Sequence, residues 1–225
     1  MQDTNGFDPL PRALPPHAAM EGLYARLEPL QEGHLPALWQ AFSTPAADDI
    51  WEYMAFGPFG TEAAFIAHAR AAFFGADPQF YAIVEPDGGL PLGILALMRI
   101  DRANGVIEVG TILLSPAVQR TRTASAAMHL VMRRVFGELG YRRLEWKCDS
   151  RNERSKYAAR RFGFTYEGLF RQHMIVKGRN RDTAWFSMLD REWPAVDAAF
   201  RAWLDPENFD ARGRQRLPLA VPQTG

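Results

Sequence analysis

Along this chain the apolar positions switch repeatedly between a period of two and a helical period, which predicts strands and helices in alternation. Leu23-Tyr24-Ala25-Arg26-Leu27 alternates as a first strand would. Leu35, Leu38, Trp39 and Phe42 recur at helical spacing and predict a helix over about 32–43. An aromatic loop at 51–59 leads into a second helix, whose first turn finds polar groups in Thr61 and Glu62. The apolar runs 80–84 and 92–98 flank Asp87-Gly88-Gly89, a hairpin signal. Val106 to Leu114 is the next strand, and a long amphipathic helix follows over about 119–139. Its apolar face is Ala124, Ala127, Met128, Val131, Val135 and Leu139, and Gly140 stops it. Leu144, Trp146 and Cys148 alternate on a fifth strand. Ser150-Arg151-Asn152-Glu153 reads as a capping box that opens a helix ending at Gly163. Strands at about 165–176 and 182–189 flank Lys177-Gly178-Arg179-Asn180, and a last helix covers 193–204. Hairpins mixed with helices predict a mixed sheet covered on both faces, not a doubly wound parallel one.

Length and composition narrow this picture. At 225 residues the chain is long enough for one sizeable core. The expected organisation is an irregular, proline-rich arm at 1–20, one domain at 21–205 and a loose tail at 206–225. Lys+Arg and Asp+Glu balance at 26 each, so no global field favours nucleic acid or an anionic membrane. The basic residues are nevertheless bunched. Between Arg120 and Arg181 they outnumber the acids by more than two to one, which suits an anionic ligand. A single cysteine, Cys148, excludes an internal disulfide and fits a reducing compartment. With no signal-like start and no apolar run near 18 residues, a cytoplasmic protein without membrane association is expected.

The chemistry concentrates where the 106–114 strand gives way to a helix. Unpaired backbone N–H groups and the helix dipole favour negative charge at a helix start. Arg120 and Arg122 sit at such a start, where positive side chains are unfavourable by up to about 1 kcal/mol. Thr121, Thr123 and Ser125 add hydroxyls beside them. A bound pyrophosphate turns this conflict into a complement, while a solvated basic turn is the plainer alternative.

The order strand, Ser115-Pro116, Gln119-Arg120-Thr121-Arg122-Thr123-Ala124-Ser125, helix, strand, Asn152-Glu153-Arg154-Ser155 and Phe162-Gly163-Phe164 resembles the cofactor-binding half of the GNAT N-acetyltransferases. Gln119-x-x-Arg122-x-Ala124 is similar to their Gln/Arg-x-x-Gly-x-Gly/Ala signature, with Arg122 in place of the usual glycine. The resemblance covers roughly 20–195 and looks like the ribosomal-protein N-terminal acetyltransferase (RimJ/RimL-like) branch. It implies a GNAT-like α/β fold, with a mostly antiparallel sheet of about seven strands, and acetyl-CoA as cosubstrate. Residues 119–125 are then expected to cradle its pyrophosphate, Ile112, Leu113 and Leu114 to hold its pantetheine arm and thioester, and Asn152 to contact the pantetheine. The implied reaction is direct transfer of acetyl to a primary amine, either a protein N-terminus or a small molecule.

Within that resemblance Glu108 stands where some members carry a base, and its apolar neighbours Ile107 and Val109 suit a proton acceptor. Ser155, three residues after Asn152, is the candidate to protonate the departing thiolate or to order a water, and Ala159 occupies the position of the family's usual tyrosine. Trp51, Tyr53 and Phe56, with Met54 and Phe59, are expected to line the acceptor pocket or else to pack as core, and Asp182 to grip an ammonium or to pair with a neighbouring arginine. A homodimer through the final strands is also in keeping with the family. Arg122 and Ala159 keep a second reading open, a non-catalytic acyl-CoA sensor or interaction module on the same scaffold. Five scattered histidines lack metal-ligand spacing, so no metal is expected. Cys148 reads as a packed strand residue.

Overall fold

The computed structural model describes residues 11–222. Eight strands form one sheet in the order β1-β2-β3-β4-β5-β6-β8-β7. They are β1 Met20–Glu21, β2 Arg26–Pro29, β3 Gln79–Val84, β4 Gly93–Asp101, β5 Val106–Leu114, β6 Arg143–Asp149, β7 Thr165–Val176 and β8 Arg179–Leu189. The sheet exceeds the expected seven strands by one because Met20–Glu21, just before the first alternating run, forms a short strand of its own, while Leu23–Ala25 of that run make the turn. β2 pairs with β3, and Met20–Glu21 pairs with Arg26–Leu27 across the Gly22 to Ala25 turn. Every neighbouring pair is antiparallel except β5 and β6.

The helices are α1 Leu35–Phe42, α2 Glu62–Ala72, α3 Arg122–Met132, α4 Glu153–Arg161 and α5 Trp193–Trp203. The long helix expected at 119–139 starts later, at the Thr121 cap, and widens into a π-helical segment over Arg133–Glu138 before Gly140 ends it at φ +64°. The Ser150–Glu153 capping box does not form. Asn152 is the cap instead, its side-chain oxygen accepting from the Ser155 N–H at 3.0 Å.

β3 reads as an unbroken apolar run because both its faces are covered. Phe80, Ala82 and Val84 pack with α1 and α2 around Leu38, Phe42 and Phe65. Tyr81 and Ile83 belong to the opposite core, where α3, α4 and α5 close over Ile107, Leu144, Trp146 and Phe186. Strand alternation is broken once with consequence. Val109 lies in the second core and Leu113 in the first, although residues four apart on a regular strand share a face. One extra residue in β5, between Gly110 and Leu113, is bulged against β4, with Thr111 at φ +47°.

Residues 1–10 of the expected arm and 223–225 of the expected tail lie outside the described residues, and the described segments next to them are fastened down. Tyr141 donates to the Ala13 carbonyl at 3.0 Å and Tyr81 to that of Pro16 at 3.2 Å. The segment after Pro206, expected to be loose, is held through Phe209. That ring is buried and meets Tyr24 and Trp203 edge-on, at centroid distances of 5.5 and 5.3 Å. No helix among the described residues is long and apolar enough to cross a membrane.

Candidate active site

β5 and β6 stay paired for only three residues, Val106–Glu108 against Arg143–Glu145. The β5 bulge then bends that strand, and beyond Glu108 its edge toward β6 carries no ladder partner. A cleft of about 1420 Å³ opens there, bounded by β5, β6 and the starts of α3 and α4. Five described non-glycine residues have positive φ, and three of them, Arg99, Thr111 and Arg120, line this cleft. Left-handed backbone costs roughly 1–2 kcal/mol per residue, so strain is concentrated at the site.

At the α3 end the Thr121 side chain accepts from the Ala124 N–H at 3.3 Å. The backbone N–H groups of Arg120, Arg122 and Thr123 have no partner among the described residues. Ala124 adds only a methyl group. Free donors, a helix dipole and little steric cover together fit a diphosphate. Gln119 folds back on the end of β5, its side-chain amide donating to the Leu114 carbonyl at 3.0 Å. Arg122 does not turn toward the donors. Its guanidinium lies 4.4 Å from the Tyr24 ring centroid and 5.4 Å from that of Phe209. This accounts for an arginine where the related signature has glycine: its side chain leaves the backbone face open.

Buried Ser125 accepts from the Arg161 guanidinium at 3.0 Å. Arg161 also lies over the Trp203 ring at 5.3 Å, and burial pulls its pKa below the ordinary arginine value. At the β6 end, Ser155 accepts from the Trp146 indole N–H at 3.0 Å, and its hydroxyl also interacts with the Cys148 thiol. Asn152 spends its side-chain oxygen on the α4 cap, so only its amide NH₂ is left to face the cleft. Burial pushes the neighbouring Cys148 thiol upward, in keeping with a packed residue.

Glu108 lines the cleft and is almost fully buried, at 3 % exposure. Its surroundings are not the apolar ones expected. Arg99 Nη1 lies 2.8 Å from each carboxylate oxygen, and Lys147 Nζ lies 2.7 Å from Oε2. Lys147 also meets Glu145 at 2.7 Å and stacks 3.9 Å above the Trp185 ring centroid. Neither cation was singled out in the sequence. The available hint was alternation: Glu145 and Lys147 fall opposite the apolar Leu144, Trp146 and Cys148.

The expected acceptor residues divide. Tyr53 and Phe56 line the cleft, with the Tyr53 hydroxyl 3.4 Å from the Arg151 carbonyl. Its phenol pKa is raised by a hydrogen bond to Glu52 and by burial. Trp51 does not line it. It is 4 % exposed and packs against Phe42, Phe56 and Phe59 in the α1–α2 core. Asp182 also lies outside, holding a β7 bulge by accepting from the Gln172 N–H at 2.6 Å and the Asn180 amide at 2.9 Å. Those two bonds keep its carboxyl below the usual range. Among the described residues no His/Cys/Asp/Glu group is arranged to hold a metal.

The acetyltransferase (GNAT) domain family matches residues 25–165. Over 93 % of its length the chain superimposes on 96 % of a GCN5-related N-acetyltransferase from Brucella melitensis, with 48 % identity and a TM-score of 0.91. A GNAT-family protein from Chromobacterium violaceum gives 43 % identity and a TM-score of 0.78, over 87 % of this chain and 96 % of that one. YdaF of Bacillus subtilis, a candidate ribosomal N-acetyltransferase, is 30 % identical over 107 residues, 48 % of this chain. The match spans 57 % of that curated relative, little more than half its length. A splayed parallel pair beside an open helix start, on this topology and with these relatives, places the chain in the GNAT acetyltransferase family.

Proposed function

We propose that this protein moves the acetyl group of acetyl-CoA directly to a primary amine. The observation that carries the reading is the three-residue β5–β6 pairing that opens beside unpartnered N–H groups at the start of α3. Acetyl-CoA supplies an activated thioester whose acyl carbon is open to an amine. The residues that would hold it are the free β5 edge at Ile112, Leu113 and Leu114, the turn from Gln119 to Ser125, and the Asn152 amide. Of their donors, the N–H groups of Arg120, Arg122 and Thr123 already stand without a partner among the described residues.

Glu108 is the candidate to accept the amine proton. Three of its roughly four lone-pair sites are occupied by Arg99 and Lys147, which leaves one for a proton or a bridging water. Ser155, fixed by Trp146, is the candidate to give a proton to the departing sulfur. Tyr53 and Phe56 line the route by which the acceptor enters. Likeness to a relative named for ribosomal N-acetylation makes a protein N-terminus the first acceptor to try, ahead of small amines. Exposed Tyr166, Leu169, Phe170 and Ile175 on edge strand β7 support a homodimer, and the lone buried thiol supports a cytoplasmic setting.

Calorimetric titration with acetyl-CoA, paired with a thermal-shift series, tests the reading. Ligand at 100 times its Kd should stabilise the fold by about 2.7 kcal/mol. Saturable binding followed by acetylation of an amine in a panel of N-terminal peptides and small amines is the expected result. Absence of binding at millimolar acetyl-CoA overturns it, and binding without transfer to any amine favours an acyl-CoA sensor.

A further inference from the structure

The tail after Pro206 lies outside the matched family domain, yet it forms part of the cleft wall. Phe209 bridges to Gln215, and the chain between them makes a tight turn. Asp210 holds that turn, its carboxylate accepting from the N–H groups of Arg212 and Arg214 at 2.8 and 2.9 Å. Gly213 adopts φ +72°, and a side chain there would meet the Arg122 guanidinium at 3.7 Å. The turn is tied to the domain at two further points. Trp203 donates its indole N–H to Gln215 at 2.9 Å, and Arg122 lies against Phe209.

This anchoring brings Arg212 and Arg214 to the cleft. Arg161 shares the wall, lying over the same Trp203 that holds Gln215. Among the described residues none of the three has a carboxylate within ion-pair distance. Arg212 and Arg214 are distinct from the free N–H groups at the α3 start, which already match one anionic group, while Arg161 links the two regions by donating to Ser125. Coenzyme A carries two such groups, a diphosphate and a monophosphate on its ribose, so a second set of cations has a chemical counterpart.

Resting on the acetyl-CoA reading above, we propose that the 209–215 turn is a nucleotide clamp, in which Arg212 and Arg214, with Arg161 behind them, bind the ribose 3′-phosphate of coenzyme A. Arg122 acts on this clamp as a positioning residue, through Phe209 and the close approach of Gly213. Its departure from glycine and the presence of the tail are then two parts of one device.

The test compares coenzyme A with 3′-dephospho-coenzyme A by calorimetry, for the full chain and for R212A/R214A. Both arginines are exposed, so the double variant should fold normally, checked by its melting temperature. The wild type should bind coenzyme A about tenfold or more tightly than the dephospho form, a difference of about 1.4 kcal/mol. The double variant should reduce that preference to within about twofold, mainly by weakening coenzyme A. A wild type that does not discriminate, a variant that keeps the full preference, or equal weakening of both ligands overturns the clamp and leaves the acetyl-CoA reading standing. Failure of the wild type to bind either ligand overturns the acetyl-CoA reading, and the clamp with it.

Discussion

The Lys147 ammonium lies 2.7 Å from the carboxylate of Glu108, the last β5 residue that still pairs with β6. The pair therefore pins the apex from which the cleft opens. Both side chains are less than a tenth exposed. Removing one partner of a buried ion pair leaves an uncompensated charge and costs about 3–5 kcal/mol, with Arg99 offsetting part of it here. Lys147→Met should destabilise the protein by about 3 kcal/mol, read from chemical denaturation. A change below about 1 kcal/mol means that Arg99 alone satisfies Glu108.

Glu108→Gln separates support from chemistry. The amide keeps the shape but can no longer take a proton. Turnover should fall by about a hundredfold or more, as expected for loss of a general base, while the Kd for acetyl-CoA changes little. Unaltered turnover removes Glu108 from the reaction and confines it to holding the strands together.

Trp51 and Tyr53 stand two residues apart in sequence and on different sides of the acceptor question. Trp51→Ala removes a buried ring and should cost about 3–5 kcal/mol of stability. Tyr53→Phe deletes a hydroxyl at the cleft and should leave stability within about 0.5 kcal/mol, while raising KM for the acceptor. A stable Trp51→Ala variant with a raised KM would reverse this assignment.

Ser155→Ala has two separable consequences. The Trp146 indole N–H, 5 % exposed as a residue, loses its acceptor, which costs about 1–3 kcal/mol. If Ser155 also gives a proton to the leaving sulfur, kcat falls by about tenfold or more with unchanged acetyl-CoA affinity. Loss of stability with full kcat would make its role purely structural.

Most strands and helices were legible because alternation and helical spacing survive wherever one face is buried. Val109 and Leu113 show where that logic stops. A one-residue bulge inverts the register between them; Gly110 inside the strand hints at an irregularity, but the β-branched Thr111 and Ile112 that follow read as regular strand. The open start of α3 was legible from its place after the β5 strand, but the direction of the Arg122 side chain was not. That direction depends on Tyr24 and Phe209, nearly a hundred residues away on either side. The Arg99–Glu108–Lys147 cluster was hidden for the same reason, being assembled across three strands. Trp51 and Asp182 show the converse error, in which residue type suggests binding while packing and local turn geometry use the side chain elsewhere.

His129 gives a pH dependence of definite sign. It lies in α3, stacked on Phe200 at 5.2 Å and bonded to Asp197 at 2.7 Å. Burial lowers its pKa below the ordinary value of 6.5, and the hydrogen bond and charge of Asp197 only partly oppose this, with Arg133 and Arg201 acting in the same sense as burial. The folded state therefore favours the neutral ring, and on acidification the unfolded chain takes up the proton first. The stability linked to His129 is fully present above pH 6.5 and is lost as pH falls through the folded-state pKa. Each unit of depression corresponds to about 1.4 kcal/mol. Melting temperatures measured from pH 7.5 to 5.0 should fall with acidification in the wild type, and less steeply in His129→Gln. Parallel curves for the two proteins would assign the acid sensitivity to other groups.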